Sequence, residues 1–155
     1  MRQRVSDHFY LDELLVSSAA DEHGIANTPT PEHLAHIKRY LVPGLEEVRA
    51  LIGRPIYLTS AYRNPAVNEL VGGTPTSAHP LGFAGDVRAS GLSCFQTAHI
   101  IAAAMRSGKL KVAVDQLILE SGRGVVHVSF DPRARGMVGH QPGGSGTPID
   151  WSFFG

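Results

Sequence analysis

One cysteine, Cys94, is all this chain of 155 residues contains, so no intramolecular disulfide can form and a disulfide-stapled secreted scaffold is excluded. Charge of one sign is missing too: 14 Lys and Arg meet 14 Asp and Glu. That balance gives no global electrostatic drive toward nucleic acid or an anionic membrane, and neither partner is expected. No apolar run reaches the length of a transmembrane helix. The charged start from Met1 to Phe9 is not followed by the apolar stretch of a signal peptide. The expectation is synthesis in the cytoplasm, with another export route or lysis needed to act beyond it. Repeats and low-complexity segments are absent. What remains is ordinary soluble composition, 43% hydrophobic and 18% charged, enough for one domain over residues 1–155 and too little for two.

The clearest periodic element is the stripe Leu34, Ile37, Leu41, Leu45, Val48 and Ile52, which predicts one long helix opening at Pro31, kinked or briefly broken at Pro43 and ended by Gly53. A shorter helix is expected over Phe9–Ser17 with Asp7 as cap, followed by a loop over Asp21–Pro31. Another is expected after Asn64, with Val67 and Leu70 facing inward and Gly72-Gly73 as its stop. Ser93 caps a helix to Ser107 whose inner face is Phe95, Ala98, Ile101 and Met105, with Cys94 a small buried hydrophobe. Strands are expected at Pro55–Ser60, Ala84–Arg88, Val112–Glu120 and Val125–Phe130, the last two joined as a hairpin by Ser-Gly-Arg-Gly. Pro132 bars a longer central strand, and residues 131–155 form a Gly/Pro-rich tail anchored by Trp151 and Phe153. The fold class is therefore α+β, a small and largely antiparallel sheet flanked by helices.

Between Ser77 and Asp86 the chain sets His79 and Asp86 seven residues apart across small-residue turns. A loop bending into a strand would let both reach one ion. A catalytic zinc takes three ligands of the His, Asp, Glu or Cys kind and keeps a fourth position open, and His127 supplies the third. If Val126 and Val128 face the core, the period of two turns His127 toward a cleft. Glu120, seven residues upstream across the hairpin, is the candidate base, with Asp115 and Asp131 as weaker alternatives. Arg63, beside Tyr62 on the loop after a strand, can grip a carboxylate or polarise a carbonyl. Ser77 supports the turn or orients substrate. Gly82 and Gly85 allow tight backbone near the metal. His8, His23, His33, His36 and His99 are assigned no metal role, and His140 either lines the cleft or is exposed.

These residues come in an ordered series: Ser60-Ala-Tyr-Arg63, Val67-Asn68, Val71-Gly72-Gly73, Ser77-x-His79-x-x-Gly82-x-Ala84-x-Asp86-Val87, Asp115-Gln116-Leu117-Ile118 with Glu120, and Val126-His127-Val128-Ser129. From about Phe9 to Phe130 the series resembles the zinc D-Ala-D-Ala carboxypeptidase family, which includes L-alanyl-D-glutamate endopeptidases and other peptidoglycan peptidases of phages and prophages. The Ser-x-His-x-x-Gly-x-Ala-x-Asp pattern also resembles the related zinc fold of Hedgehog signalling domains. The resemblance implies one Zn²⁺ per chain bound by His79, Asp86 and His127, Glu120 as the counterpart of a catalytic acid, and Arg63 in contact with substrate. Many members carry an acid or an aromatic residue just before the last histidine, where this chain has Gly124, Val125 and Val126.

The expected function is hydrolysis of peptide bonds in bacterial cell-wall stem peptides by a monomer, with Tyr62 and Ser77 beside Arg63 in substrate binding. The rivals are a zinc-holding module that binds cell wall without cleaving it and a structural phage component without metal.

Overall fold

The computed structural model describes residues 2–144 and 146–153. Met1 and three residues of the expected tail, Ser145, Phe154 and Gly155, lie outside the described residues.

The long apolar stripe becomes one rod. Helix α3 (Pro31–His36) starts at Thr30, whose hydroxyl oxygen accepts the His33 N–H, and α4 (Val42–Ile52) ends at Gly53 in the left-handed region with φ 70°. Between them, residues Ile37–Leu41 form a π turn in which the Val42 N–H reaches back to the Ile37 carbonyl. Pro43 has no N–H to offer the preceding turn, and the widened π turn just before it is the local break in the α-helical pattern. Ile37, Leu41, Leu45 and Val48 are fully buried along it.

The N-terminal expectation needs correction. Instead of one helix over Phe9–Ser17 there are two short ones, α1 (Leu11–Leu15) and α2 (Ser18–Glu22), the second capped by Ser17. Asp7 caps neither; the Tyr10 N–H is held by the Glu13 carboxylate at 3.0 Å. Asp21 is helical rather than part of a loop. Helix α5 (Pro65–Leu70) is capped by Asn64, but its inner side is Val67 and Asn68, and Leu70 faces outward. The Asn68 amide explains this, donating to the Thr74 carbonyl at 3.0 Å and so tying the helix to its exit loop. Helix α6 (Cys94–Ser107) has the Ser93 capping box with Gln96 and ends at Gly108. Ala98, Ile101 and Ala102 form its buried face. Phe95 stands at the border of that face, is 46% exposed and points its ring toward His140, and Cys94 is only half-buried.

Five strands, β1 (Ile56–Ser60), β2 (Ala84–Ala89), β3 (Gln116–Glu120), β4 (Val125–Ser129) and β5 (Met137–His140), lie in the order β1-β2-β4-β3-β5. Every neighbouring pair is antiparallel except β3 with β5. The class is α+β as expected, with a mostly antiparallel, mixed sheet. Two strand expectations change. Residues Val112–Asp115 stay outside β3, and the tail after Pro132 contributes a strand that its composition hides. Helices α4 and α6 cover one sheet face, where Leu45, Val48 and Ile101 meet Val87, Leu117, Leu119, Val126 and Val128. The opposite face is left for chemistry.

Candidate metal centre

Register places the centre. Asp86 pairs with His127 across β2 and β4, His127 pairs with Ile118 on β3, and Ile118 pairs with Gly139 on β5. Residues of one cross-strand row share a face, and neighbours along each strand point the other way. With Val87, Val126 and Val128 in the core, Asp86 and His127 stand together on the far side. His79 arrives from a 3-10 turn (His79–Leu81) just ahead of β2. Gly82, with φ 84°, swings the chain from that turn into the strand, and a Cβ there would come within 2.6 Å of the His33 carbonyl oxygen.

His79 Nε2 and His127 Nδ1 each lie 3.1 Å from Asp86 Oδ1. All three side chains are buried. Their three donor atoms lie within 4.8 Å of one another, and this is the His/Cys/Asp/Glu group found to close on a common point among the described residues.

Protonation shows what such a cluster can hold. His79 Nδ1 meets the Ala61 carbonyl oxygen, which can only accept, so Nδ1 carries the proton and a neutral ring turns the Nε2 lone pair toward Asp86. Burial is the largest influence on His79 and pushes its pKa down, against the pull of Asp86. Burial would raise the Asp86 pKa, but the two imidazoles outweigh it and hold the carboxyl well below its ordinary range. A neutral ring and an ionised carboxylate thus face each other acceptor to acceptor, an arrangement that a cation satisfies. Ligand atoms about 2.0–2.2 Å from a tetrahedral zinc stand roughly 3.3–3.6 Å apart. The 3.1 Å separations are already close to that, and the Ala61 carbonyl is the outer partner that orients a ligating imidazole. The donor set and its geometry fit zinc.

A pocket of about 450 Å³ opens over the cluster, its wall including Arg63, Ser77, Glu120 and Arg123. The Ser77 hydroxyl oxygen accepts the His79 N–H at 3.2 Å, so it orders the metal-side turn from within the pocket. Arg63 brings a buried Nε–H with no hydrogen-bond partner among the described residues. Burial lowers its pKa against the pull of Asp86 and Glu120, yet a guanidinium stays charged in proteins, so a charged N–H is left to donate. Glu120 is 6% exposed and pairs with Arg123 at 3.0 Å.

Tyr62 stands apart from the pocket wall. It is 1% exposed and places its hydroxyl 3.0 Å from His33 Nδ1, so it packs in the core. The alternative bases are committed elsewhere, Asp115 to Arg135 and Asp131 to Arg133, each through paired hydrogen bonds. His140 is outside the pocket wall, with Nε2 2.6 Å from Ser121 Oγ and its ring against Phe153. Sequence reasoning missed Arg123, although its place three residues after Glu120 across a turn was a usable signal. Trp151, expected only to anchor the tail, also walls the pocket, together with Gln141 and Ile149, for which the sequence held no local signal.

A search among curated proteins found no match. Residues 7–122 match the family model described as Peptidase M15, a span holding Arg63, Ser77, His79, Asp86 and Glu120 and ending short of His127. Covering most of the chain, that match shows that the protein belongs to the peptidase M15 family of zinc metallopeptidases.

Proposed function

We propose that the protein hydrolyses peptide bonds of bacterial peptidoglycan stem peptides, with His79, Asp86 and His127 holding one zinc ion, Glu120 moving the proton and Arg63 anchoring substrate. The observation that carries this reading is the convergence of three buried potential ligand atoms beneath a pocket that also presents a carboxylate and a guanidinium N–H with no partner among the described residues. Zinc, when bound, supplies a Lewis acid that polarises a carbonyl and makes water acidic near neutrality. Glu120 takes the proton from the attacking water on a carboxylate oxygen and delivers it to the nitrogen of the departing amine. Arg63 donates to a substrate carboxylate, fixing the scissile bond relative to Glu120. The Ala61 carbonyl and Ser77 hold the His79 ring and backbone in place while this occurs. The setting we propose is action on the cell wall by a phage- or prophage-type enzyme.

Mass analysis of peptides released from purified peptidoglycan by chelated and by zinc-restored protein tests the reading. New products that need zinc are expected, and their masses distinguish loss of a terminal residue from an internal cut. Identical digests from both samples would overturn it. A second reading, a zinc-holding wall-binding module, is favoured by the absence of an acid or aromatic residue at Gly124, Val125 and Val126. Stoichiometric zinc with wall binding and no released product would select it.

A further inference from the structure

Arg123 sits where the β3–β4 hairpin turns back over the pocket. Its N–H bonds to the Glu120 carbonyl at 3.1 Å, closing a turn whose two end residues then bring their side chains together. The loop is held from several sides. Ser121 Oγ lies 2.6 Å from His140 Nε2, the Arg123 carbonyl accepts from Arg88 at 3.2 Å, and Gly122 runs so close to the C-terminal segment that a Cβ would stand 2.3 Å from the Pro142 carbonyl oxygen. From this clamped backbone, Arg123 Nη1 reaches Glu120 Oε1 at 3.0 Å and Asp86 Oδ2 at 3.5 Å. Asp86 therefore divides its oxygens: Oδ1 faces both imidazoles, and Oδ2 faces the guanidinium.

We propose that Arg123 is a positioning residue that reserves Oδ2 of Asp86, leaves Oδ1 alone for the metal and holds the Glu120 carboxylate beside it. The inference rests on His79, Asp86 and His127 being the ligands. A carboxylate with both oxygens free can turn or bind through both, and a donor on the outer oxygen removes that freedom, as outer hydrogen bonds to ligating groups do generally. A permanently charged guanidinium keeps this role at any working pH. Arg123 Nη1 is already shared by two carboxylates, whereas the buried Nε of Arg63 has no hydrogen-bond partner among the described residues and is the freer donor for substrate.

The test measures zinc affinity by competition with a chromophoric chelator, and kcat and KM on stem peptides. Wild type and His127→Ala come first. Zinc in the former and its loss in the latter support the ligand assignment, while a zinc-free wild type defeats that assignment and the proposal together. Arg123→Gln should then bind zinc about tenfold more weakly or worse and, at saturating zinc, show a lower kcat at nearly unchanged KM. Arg123→Lys should recover part of both. With the ligand assignment standing, unchanged or tighter zinc binding, a fall in only one of the two quantities, or a raised KM at constant kcat overturns the proposal. Should Arg123→Gln not fold, Gly122→Ala, which drives the loop off Pro142 while keeping Arg123, reads the same pair: a fall in both supports the role and any other result overturns it.

Discussion

Asp86 and His127 are direct partners in the β2–β4 ladder, so two of the three donor atoms are set by sheet register rather than by loop conformation. A centre built this way should persist without metal and depend on the carboxylate for charge. Asp86→Asn keeps the volume and removes the negative charge that offsets a divalent cation. Zinc affinity is expected to fall by about a hundredfold or more, beyond the range seen for outer partners of metal ligands, while far-ultraviolet circular dichroism stays that of the wild type. Chelator competition on the two proteins checks this. Wild-type affinity in the variant would place the metal elsewhere.

Glu120 should separate binding from chemistry. Glu120→Gln retains shape and keeps one oxygen for Arg123 but cannot accept a proton as a carboxylate does. Turnover of stem peptides is expected to drop by about 10²–10⁴-fold, the usual contribution of a general base, with zinc still stoichiometric. Metal analysis beside a product assay decides, and full turnover would move the proton transfer to another group.

This much was legible because the strands obey a period of two. Val126 and Val128 mark the core side of β4, and parity alone then places His127 opposite them. Where the strand ends, parity ends with it: a tyrosine beside Arg63 looks like a site residue, but after β1 the chain carries both Ala61 and Tyr62 inward under α3 while Arg63 reaches the pocket. Strand β5 was illegible because four residues, Met137-Val-Gly-His140, with a glycine among them carry no alternation, and a parallel pairing with β3 leaves no local turn to announce it. With β5 hidden, the wall made by Gln141, Ile149 and Trp151 was hidden too. Arg123 was passed over because a hairpin-turn arginine has the composition of a solvated loop.

The lowered pKa of His79 makes metal-free stability depend on pH in a stated direction. Above the ordinary value of 6.5 the ring is neutral both folded and unfolded, and its contribution is fully present. As pH falls below that value the unfolded chain takes up a proton that the buried ring resists, so stability declines until the folded pKa is passed. Thermal melts of chelated protein between about pH 7.5 and pH 5 should show the melting temperature falling with pH. A flatter slope is expected in His79→Gln, and equal slopes in the two proteins would count against burial as the cause.

Packing beneath the site gives a stability prediction independent of metal. Gly44 in α4 faces the buried Phe130 ring, and a Cβ there would sit 2.4 Å from Cγ. Replacing a helical glycine with alanine ordinarily gains about 1 kcal/mol, but forcing a methyl group into a closed core costs about 1–3 kcal/mol. A contact this short against a rigid ring should make the cost the larger, so Gly44→Ala is expected to unfold at lower urea concentration. Zinc affinity should be unchanged. A stabilised variant would mean that α4 and Phe130 separate easily.

Gly139 governs the C-terminal wall. It occupies the cross-strand row of Asp86, His127 and Ile118, and its missing side chain leaves room for Ile149 and Trp151: a Cβ would approach them to 2.7 and 2.8 Å. The segment above is returned to the sheet by reciprocal backbone bonds between His140 and Asp150 at 3.0 and 2.8 Å. Gly139→Ala should therefore lift Ile149 and Trp151 off the pocket while sparing the ligands, which lie on β2, β4 and the turn before β2. The expected result is a KM for stem peptides raised several-fold, zinc affinity unchanged, and Trp151 fluorescence shifted to the red as the ring gains solvent; because Trp151 is the sole tryptophan, that emission reports on this wall alone. A wild-type KM accompanied by the red shift would show that the wall can move without substrate sensing it.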